Sequence, residues 1–519
     1  MSDQRVVVVG AGMGGLVSAL QLAHQGLDVT VIEAAPAPGG KLRQLVVDGA
    51  AIDSGPTVFT MRWVFDQILH AVGTTLEAEL TIRPLETLAR HWWDDGSSLD
   101  LHADPARAFE AVASFAGLAE AQRFRAFCAE SAQVYRTLEP HYIRGPAPNF
   151  WGLTRALGVG GLATLTRLGP LSSLWSTLGR HFHDPRMRQL FGRYATYTGS
   201  SPWQAPATLM LIAQVELDGV WTIDGGMHAL ARCLERLATE RGARFRYNTP
   251  CEEIQTSNGR VTGVRLAGGG VLSADVVVFN GDAAALRSGL LGGAARRAAP
   301  AKVPPRSLSA ITWSMHTATR GLPLDRHNVF FQRDYASEFR DIFQRGRLPQ
   351  TPTVYLCAQD RGAGSEPTGP ERLLCLVNAP AVGDGNTLTA KDIETCETAS
   401  FHLMRRCGLA IAPTTCAASV RTTPADFHRL FPATGGALYG QASHGWMSAF
   451  ARSGASSPVP GLFLAGGSVH PGPGVPMAAL SGQLAAAAVM ASPGLIKRFH
   501  PVATSGGTST PSATTARTA

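Results

Sequence analysis

The residues best suited to chemistry by type and spacing come first in the chain. Gly10, Gly12 and Gly15 stand in G-x-G-x-x-G order directly after the apolar run at residues 6–9. Glycines so placed allow a tight turn, a close approach of backbone to a pyrophosphate, and close packing of the next helix on the strand. Met13 and Gly14 complete the turn, and the helix that follows would present free N–H groups and its positive dipole end to an anion. Glu33 ends the second strand-like run, residues 28–32, where a carboxylate can accept both hydroxyls of a ribose. Its charge repels a 2′-phosphate, which argues against NADP. Such glycine spacing recurs by chance, but strand, glycine turn, helix, strand and acid in succession specify a dinucleotide site.

Two further elements select FAD over NAD. Gly39, Gly40, Lys41 and Arg43 follow Glu33 closely, where a flavoprotein chain passes the pyrophosphate and flavin. Far along the chain, residues 461–465 read as a strand running into Gly466 and Gly467. That segment continues through Gly474, Val475, Pro476 and Met477 into a helix reaching about residue 490. Two distant strand–glycine elements of this kind close over one long cofactor. The last helix is expected to aim its N-terminus at the flavin N1–C2=O edge, where negative charge gathers on reduction.

These residues need elements to hold them, and residues 5–33 read as a βαβ unit. Residues 39–60 read as a glycine-marked loop carrying Gly55, Pro56 and Thr57, and residues 109–137 as helical. A helix to about Gly242 follows Gly225-Gly226, and strands are predicted at 245–247, 252–256, 261–266 and 271–280. The fold class is α/β, with a Rossmann-like FAD-binding domain in discontinuous segments and an α+β substrate domain. The FAD-binding segments are 1–85, 206–295 and 456–495. Residues 86–205 form a substrate and membrane-associating region, 296–455 the substrate domain, and 503–519 a Ser/Thr/Gly/Ala-rich disordered tail.

Composition narrows the partners. Basic residues exceed acidic ones, 46 to 39, without any basic stripe, so nucleic acid is excluded as a partner. The eight cysteines form no C-x-x-C, which excludes a structural zinc site and a disulfide scaffold and fits a reducing, cytoplasmic setting. His181-Phe182-His183 lacks further ligands at useful spacing, so no metal is expected. Residues 6–9 feed a glycine turn and are not the core of a secretory signal. Residues 146–180 are apolar and carry Trp151, Trp175, Arg155, Arg167 and Arg180. Charges, Pro170 and glycines interrupt them too often for a spanning helix, which needs ~20 apolar residues, so they are read as lying in the membrane interface.

Longer strings carry a resemblance. The N-terminal run, Gly39-Gly40-Lys41, Asp53-Ser54-Gly55-Pro56-Thr57, Asp224-Gly225-Gly226-Met227 and residues 461–482 resemble the bacterial-type phytoene desaturase family of carotenoid enzymes. Within it, Gly55-Pro56-Thr57-Val58-Phe59-Thr60-Met61-Arg62-Trp63, Ala89-Arg90-His91-Trp92-Trp93, Ala442-Ser443-His444-Gly445-Trp446 and Gly467-Ser468-Val469-His470-Pro471-Gly472-Pro473-Gly474 look like the 1-hydroxycarotenoid 3,4-desaturase branch. The resemblance implies a glutathione-reductase-type FAD domain, non-covalent FAD and a hydrophobic carotenoid substrate. It also implies a C3–C4 desaturation of a 1-hydroxy or 1-methoxy carotene, on the surface of the inner or photosynthetic membrane. No Ser/His/Asp or Cys/His constellation stands out, and none is needed, because hydride loss beside a polyene makes the neighbouring C–H acidic. His444 and Arg62 are the polar residues expected near the substrate end group; the alternatives are a paired structural histidine and a surface arginine. Other members of the superfamily remain as alternatives: a phytoene desaturase, a carotene isomerase, an amine oxidase, or a non-catalytic prenyl-binding relative.

Overall fold

The four consecutive valines of the first strand set the architecture. In the computed structural model, which describes residues 4–492 except 170, 363–366, 386 and 413–417, Arg5–Val9 lies at the centre of a parallel sheet. It pairs with Asp28–Ile32 on one side and Val276–Phe279 on the other. Leu462–Leu464 extends the sheet beyond Val276–Phe279, and Arg244–Arg246 extends it beyond Asp28–Ile32. Successive side chains on a strand face opposite ways. Val6 and Val8 accordingly pack with the helices Met13–His24, Met227–Glu240 and Val475–Met490. Val7 and Val9 pack with an antiparallel ribbon of Cys251–Ser257, Arg260–Leu266 and Val271–Ser273. The disordered tail predicted at 503–519 lies outside the described residues.

A second, seven-stranded sheet faces this unit. Its order is Ser419–Thr422, Ser309–Thr317, Glu371–Ala379, Val354–Ala358, His327–Phe331, Thr87–Trp93, Ser98–His102. The sheet therefore takes strands from both the 86–205 and the 296–455 segments. All neighbours are antiparallel except His327–Phe331 and Thr87–Trp93. One face, with Ile311 and Trp313, is covered by the helix Ala390–Arg406. A helical layer whose core includes Phe124, Phe127, Phe182 and Phe191 packs with Leu88, Trp93, Leu99 and Phe331 of this sheet.

Several predicted elements differ in the structure, each for a local reason. The 39–60 loop contains a hairpin, Gln44–Val47 against Ala50–Asp53. Its turn residues Asp48 and Gly49 both take positive φ, as a two-residue hairpin turn demands. The 109–137 helix is two, Pro105–Ala116 and Leu118–Leu138, divided where Gly117 adopts a φ of 91°. The 271–280 strand is also two, because Val271–Ser273 joins the ribbon while Val276–Phe279 joins the parallel sheet. Trp175 is only partly exposed: its ring packs 4.4 Å from that of Trp203, against the helical core. Trp151 and Val159, on the helix Phe150–Leu168, stand 77% and 87% exposed. Among the described residues no helix is long and apolar enough to cross a membrane.

Candidate functional site

A cavity of about 1500 Å³ runs from the first glycine turn, along the inner face of the seven-stranded sheet, to the helix Phe150–Leu168. Ligand pockets usually measure ~300–1,000 Å³, so this one has room for more than a single small ligand. Every residue predicted for the cofactor, from Gly10 to Met477, lines it, apart from Gly15. Gly15 instead packs the helix on the turn, since an added Cβ would collide with the Gly10 carbonyl.

One end of the cavity is built from backbone. The helix Met13–His24 starts at Gly12 with no side-chain cap, so its first N–H groups stay available to an anion. Glu33 lines the same end. Its Oε2 accepts from the Ala11 N–H at 2.7 Å and its Oε1 from the Ala35 N–H at 2.8 Å. Each carboxylate oxygen keeps a further lone pair, enough for two ribose hydroxyls. The Gly39 N–H donates to the Ala11 carbonyl at 2.8 Å, which lays the Gly39–Gly40 turn over the first. The distant C-terminal element meets the same place: a Cβ on Gly14 would stand 2.7 Å from the Gly466 nitrogen and 2.6 Å from Asn280 Oδ1. The last helix, Val475–Met490, also begins without a side-chain cap, at the cavity wall. Two uncapped helix ends, a glycine cradle and an acid with spare lone pairs fit FAD.

Sequence spacing gave no sign of several residues that hold this end together. Asn280, just past the third parallel strand, donates from Nδ2 to the Gly10 carbonyl at 3.1 Å. The buried guanidinium of Arg452 donates to the carbonyls of Gln441 at 2.9 Å and Gly467 at 3.3 Å, pinning the C-terminal glycine turn to the 439–441 segment. Lys41 donates to the Leu438 carbonyl, and burial lowers its pKa against the opposing pull of Asp282. Arg43 bridges the Ser54 carbonyl at 3.1 Å and Thr422 Oγ1 at 2.8 Å. Asp53, within the Asp-Ser-Gly-Pro-Thr motif, does not line the cavity. Its carboxylate accepts the Met227 and His228 N–H groups and caps the helix Met227–Glu240, while burial raises its pKa. The glycine requirement at Gly226 follows, because a Cβ there would run into that carboxylate.

The two proposed end-group contacts are not on the wall. Arg62 opens the helix Arg62–His70 and is satisfied by Asp66 at 3.1 Å and by Glu77, so its guanidinium is held outside the cavity. His444 has cavity-lining neighbours, Ser443 and Trp446, but its own ring lies edge-on to Phe343 at 4.8 Å, behind the wall. Burial pushes its imidazole down to about 4, and its Nε2 has no partner. His181 pairs with Glu130 at 3.1 Å. Among the described residues no three His, Cys, Asp or Glu side chains could hold a metal ion.

The remainder of the cavity is mainly apolar, with Leu138, Ile143, Leu153, Leu157, Val329 and Leu376 on its walls. Scattered polar side chains such as Thr312, Thr353 and Asn378 also line it, and a charged cluster stands among them. Glu216 accepts hydrogen bonds from the hydroxyls of Tyr194, at 2.6 Å, and Tyr197. Arg193 Nη2 donates to the Tyr197 hydroxyl at 2.9 Å. Nearby, Tyr355 links Thr57 Oγ1 and His327 Nδ1, both at 2.7 Å, and so joins the Gly55–Thr57 loop to this wall.

The chain is similar to known proteins over nearly its whole length. The chain is 57% identical to a hydroxyneurosporene desaturase of Rubrivivax gelatinosus, over 99% of this chain and 98% of that one. It is 46% identical to a hydroxyneurosporene desaturase of Cereibacter sphaeroides, over 94% of this chain and 97% of the other. Among solved structures, an engineered putrescine oxidase superposes with a TM-score of 0.60 at 16% identity, covering 94% of this chain and 99% of that one; this similarity speaks for the fold alone. The model of the flavin containing amine oxidoreductases matches residues 13–490. With its glycine cradle, its uncapped helices and these relatives, the chain belongs to the flavin-containing amine oxidoreductase family.

Proposed function

We propose that this FAD-dependent oxidoreductase is a carotenoid desaturase acting on a CH–CH bond, inserting the C3–C4 double bond of an acyclic carotenoid with a hydroxyl or methoxyl at C1. The observation that carries this reading is the joining of a dinucleotide cradle and a long apolar chamber in one cavity. A small polar amine would leave most of that chamber unfilled, whereas a polyene matches it. When bound, FAD supplies the two-electron acceptor for a hydride leaving C–H beside the polyene, and the adjacent carbon then releases a proton to complete the C=C bond. The glycine turns and the uncapped start of Met13–His24 would hold the pyrophosphate, Glu33 the ribose, and the uncapped start of Val475–Met490 would face the flavin. The apolar walls align the chain and exclude water, which is where this protein's share of the catalysis lies. No dedicated base is required, since positive charge spread over a polyene acidifies the neighbouring C–H.

The chamber's mouth supports a peripheral membrane location. The helix Phe150–Leu168 turns Leu153 and Leu157 to the cavity and Trp151, Arg155 and Val159 to solvent. Trp, Arg and aliphatic groups together suit the lipid interface. A carotenoid dissolved in the bilayer would then enter without crossing water. The deciding experiment supplies 1-hydroxyneurosporene, neurosporene and phytoene in liposomes to the FAD-loaded protein and records product spectra. A lengthened chromophore from the hydroxylated substrate is expected. Turnover of amines with none of the carotenoids, or a product with no added double bond, would overturn the reading.

A further inference from the structure

The polar cluster on the apolar wall contains an unfilled donor. Arg193 is 8% exposed, yet it forms no ion pair with any carboxylate among the described residues. Of its three nitrogens only Nη2 has a partner, the Tyr197 hydroxyl; Nε is orphaned inside the wall and Nη1 has no hydrogen bond. A buried charge with empty donors is costly unless something completes it. Both oxygens of Glu216 accept from the hydroxyls of Tyr194 and Tyr197, and neither is bonded to the Arg193 guanidinium. Glu216 therefore balances the charge one tyrosine away without filling the guanidinium. The ligand that suits such a site is a neutral oxygen with a lone pair, because arginine can only donate.

Resting on the desaturase reading, we infer that Arg193, oriented by Tyr197, donates to the oxygen on C1 of the carotenoid and thereby selects oxygenated end groups. Position agrees with this role. An oxygen on C1 is three bonds from C3, about 4 Å or less at ~1.5 Å per bond. The end-group reader must consequently sit where the chamber meets the cofactor end. Arg193 lies on that stretch: its turn, Arg193–Thr198, faces Tyr355, whose hydroxyl reaches Thr57 of the cofactor-end loop. Hydroxyl and methoxyl oxygens both carry a free lone pair, so a donor-only reader accepts both. A plain hydrocarbon end leaves the guanidinium unfilled, and sites built to bond a substrate oxygen discriminate strongly against its absence.

The test compares holoenzymes carrying Arg193→Met, Arg193→Lys and the near-isosteric Tyr197→Phe with wild type. FAD absorbance per chain is measured first, then kcat/KM on 1-hydroxyneurosporene, its 1-methoxy analogue and neurosporene in liposomes. Arg193→Met should lower kcat/KM for both oxygenated substrates roughly 10- to 100-fold, as expected for losing a hydrogen bond to a charged group. Neurosporene turnover should hold or rise. Arg193→Lys should restore part of the preference, and Tyr197→Phe should narrow the ratio severalfold with FAD content unchanged. If Arg193→Met fails to load FAD, Tyr197→Phe carries the test. Variants that load FAD and keep the wild-type substrate ratio overturn the inference, as does a 1-methoxy substrate no better than the hydrocarbon. A wild type indifferent to the C1 oxygen overturns the underlying branch of the desaturase reading and this inference with it.

Discussion

Replacing Glu33 with Gln separates two roles of one carboxylate. In the wild type its two oxygens each take a backbone N–H, from Ala11 at 2.7 Å and Ala35 at 2.8 Å, before any cofactor arrives. Gln keeps one acceptor oxygen and turns an NH2 toward the other N–H, so one charge-assisted bond becomes a donor–donor contact. Hydrogen bonds to charged groups contribute about 1.5–3 kcal/mol. The apoprotein should lose stability of that order, read as a lower Tm of cofactor-free protein. The bound state loses one of two ribose acceptors as well, and the same energy corresponds to a roughly 10- to 150-fold rise in Kd for FAD. Titration of the apoprotein with FAD, followed by flavin fluorescence, measures that part alone. Glu33→Arg goes further, placing a cation against two N–H donors, and should leave the purified protein without flavin absorbance. A Glu33→Gln protein that binds FAD within threefold of wild type would refute the assignment of Glu33 to the ribose.

The other expectations follow from the same geometry. Gly14→Ala should pry the Gly466 turn from the first helix, because its Cβ would stand 2.6–2.7 Å from Asn280 and Gly466; FAD occupancy should fall, and full occupancy in the soluble variant would contradict the crossing of the two turns. His444→Phe should leave the ratio of turnover on hydroxylated and plain carotenoids unchanged, since the ring lies behind the wall on Phe343. Its imidazole is held at about 4, below the ordinary ~6.5 of an unfolded chain, so the folded state binds fewer protons and stability is lost as pH falls from ~6.5 through about 4. His444→Phe should flatten that part of the Tm-against-pH curve, and a curve identical to wild type would count against the burial argument. Trp151→Ser with Val159→Ser should reduce flotation with anionic liposomes at unchanged FAD content, and undiminished flotation would remove this helix from the membrane contact.

What could be read without coordinates was whatever chemistry is written locally. The glycine turn, its helix and Glu33 span some thirty residues, and each is specified by a steric or dipolar demand that neighbours in sequence already meet. The C-terminal strand and helix obey the same grammar and were legible for the same reason. Even the overlooked hairpin at 44–53 had a local sign, Asp48-Gly49 between apolar runs, whose positive φ values the turn requires. By contrast, no spacing rule could reveal that Asn280 wedges between Gly10 and Gly466, because those contacts join segments far apart in the chain, or that Arg452 pins the second turn, because that depends on how the intervening loop folds back. Arg62 and His444 show the same limit from the other side. Their strings matched a family, but Asp66 and Glu77 claim the arginine and Phe343 covers the imidazole, and those partners depend on how the helices pack. Asp53 looked like part of a cofactor loop and proved to be the cap of a helix that begins at Met227. Arg193 carried no motif at all. Its meaning comes only from being enclosed in an apolar wall with one hydrogen bond made and Nη1 and Nε unfilled, a condition created by tertiary burial, which turns an ordinary arginine into a donor in need of an oxygen.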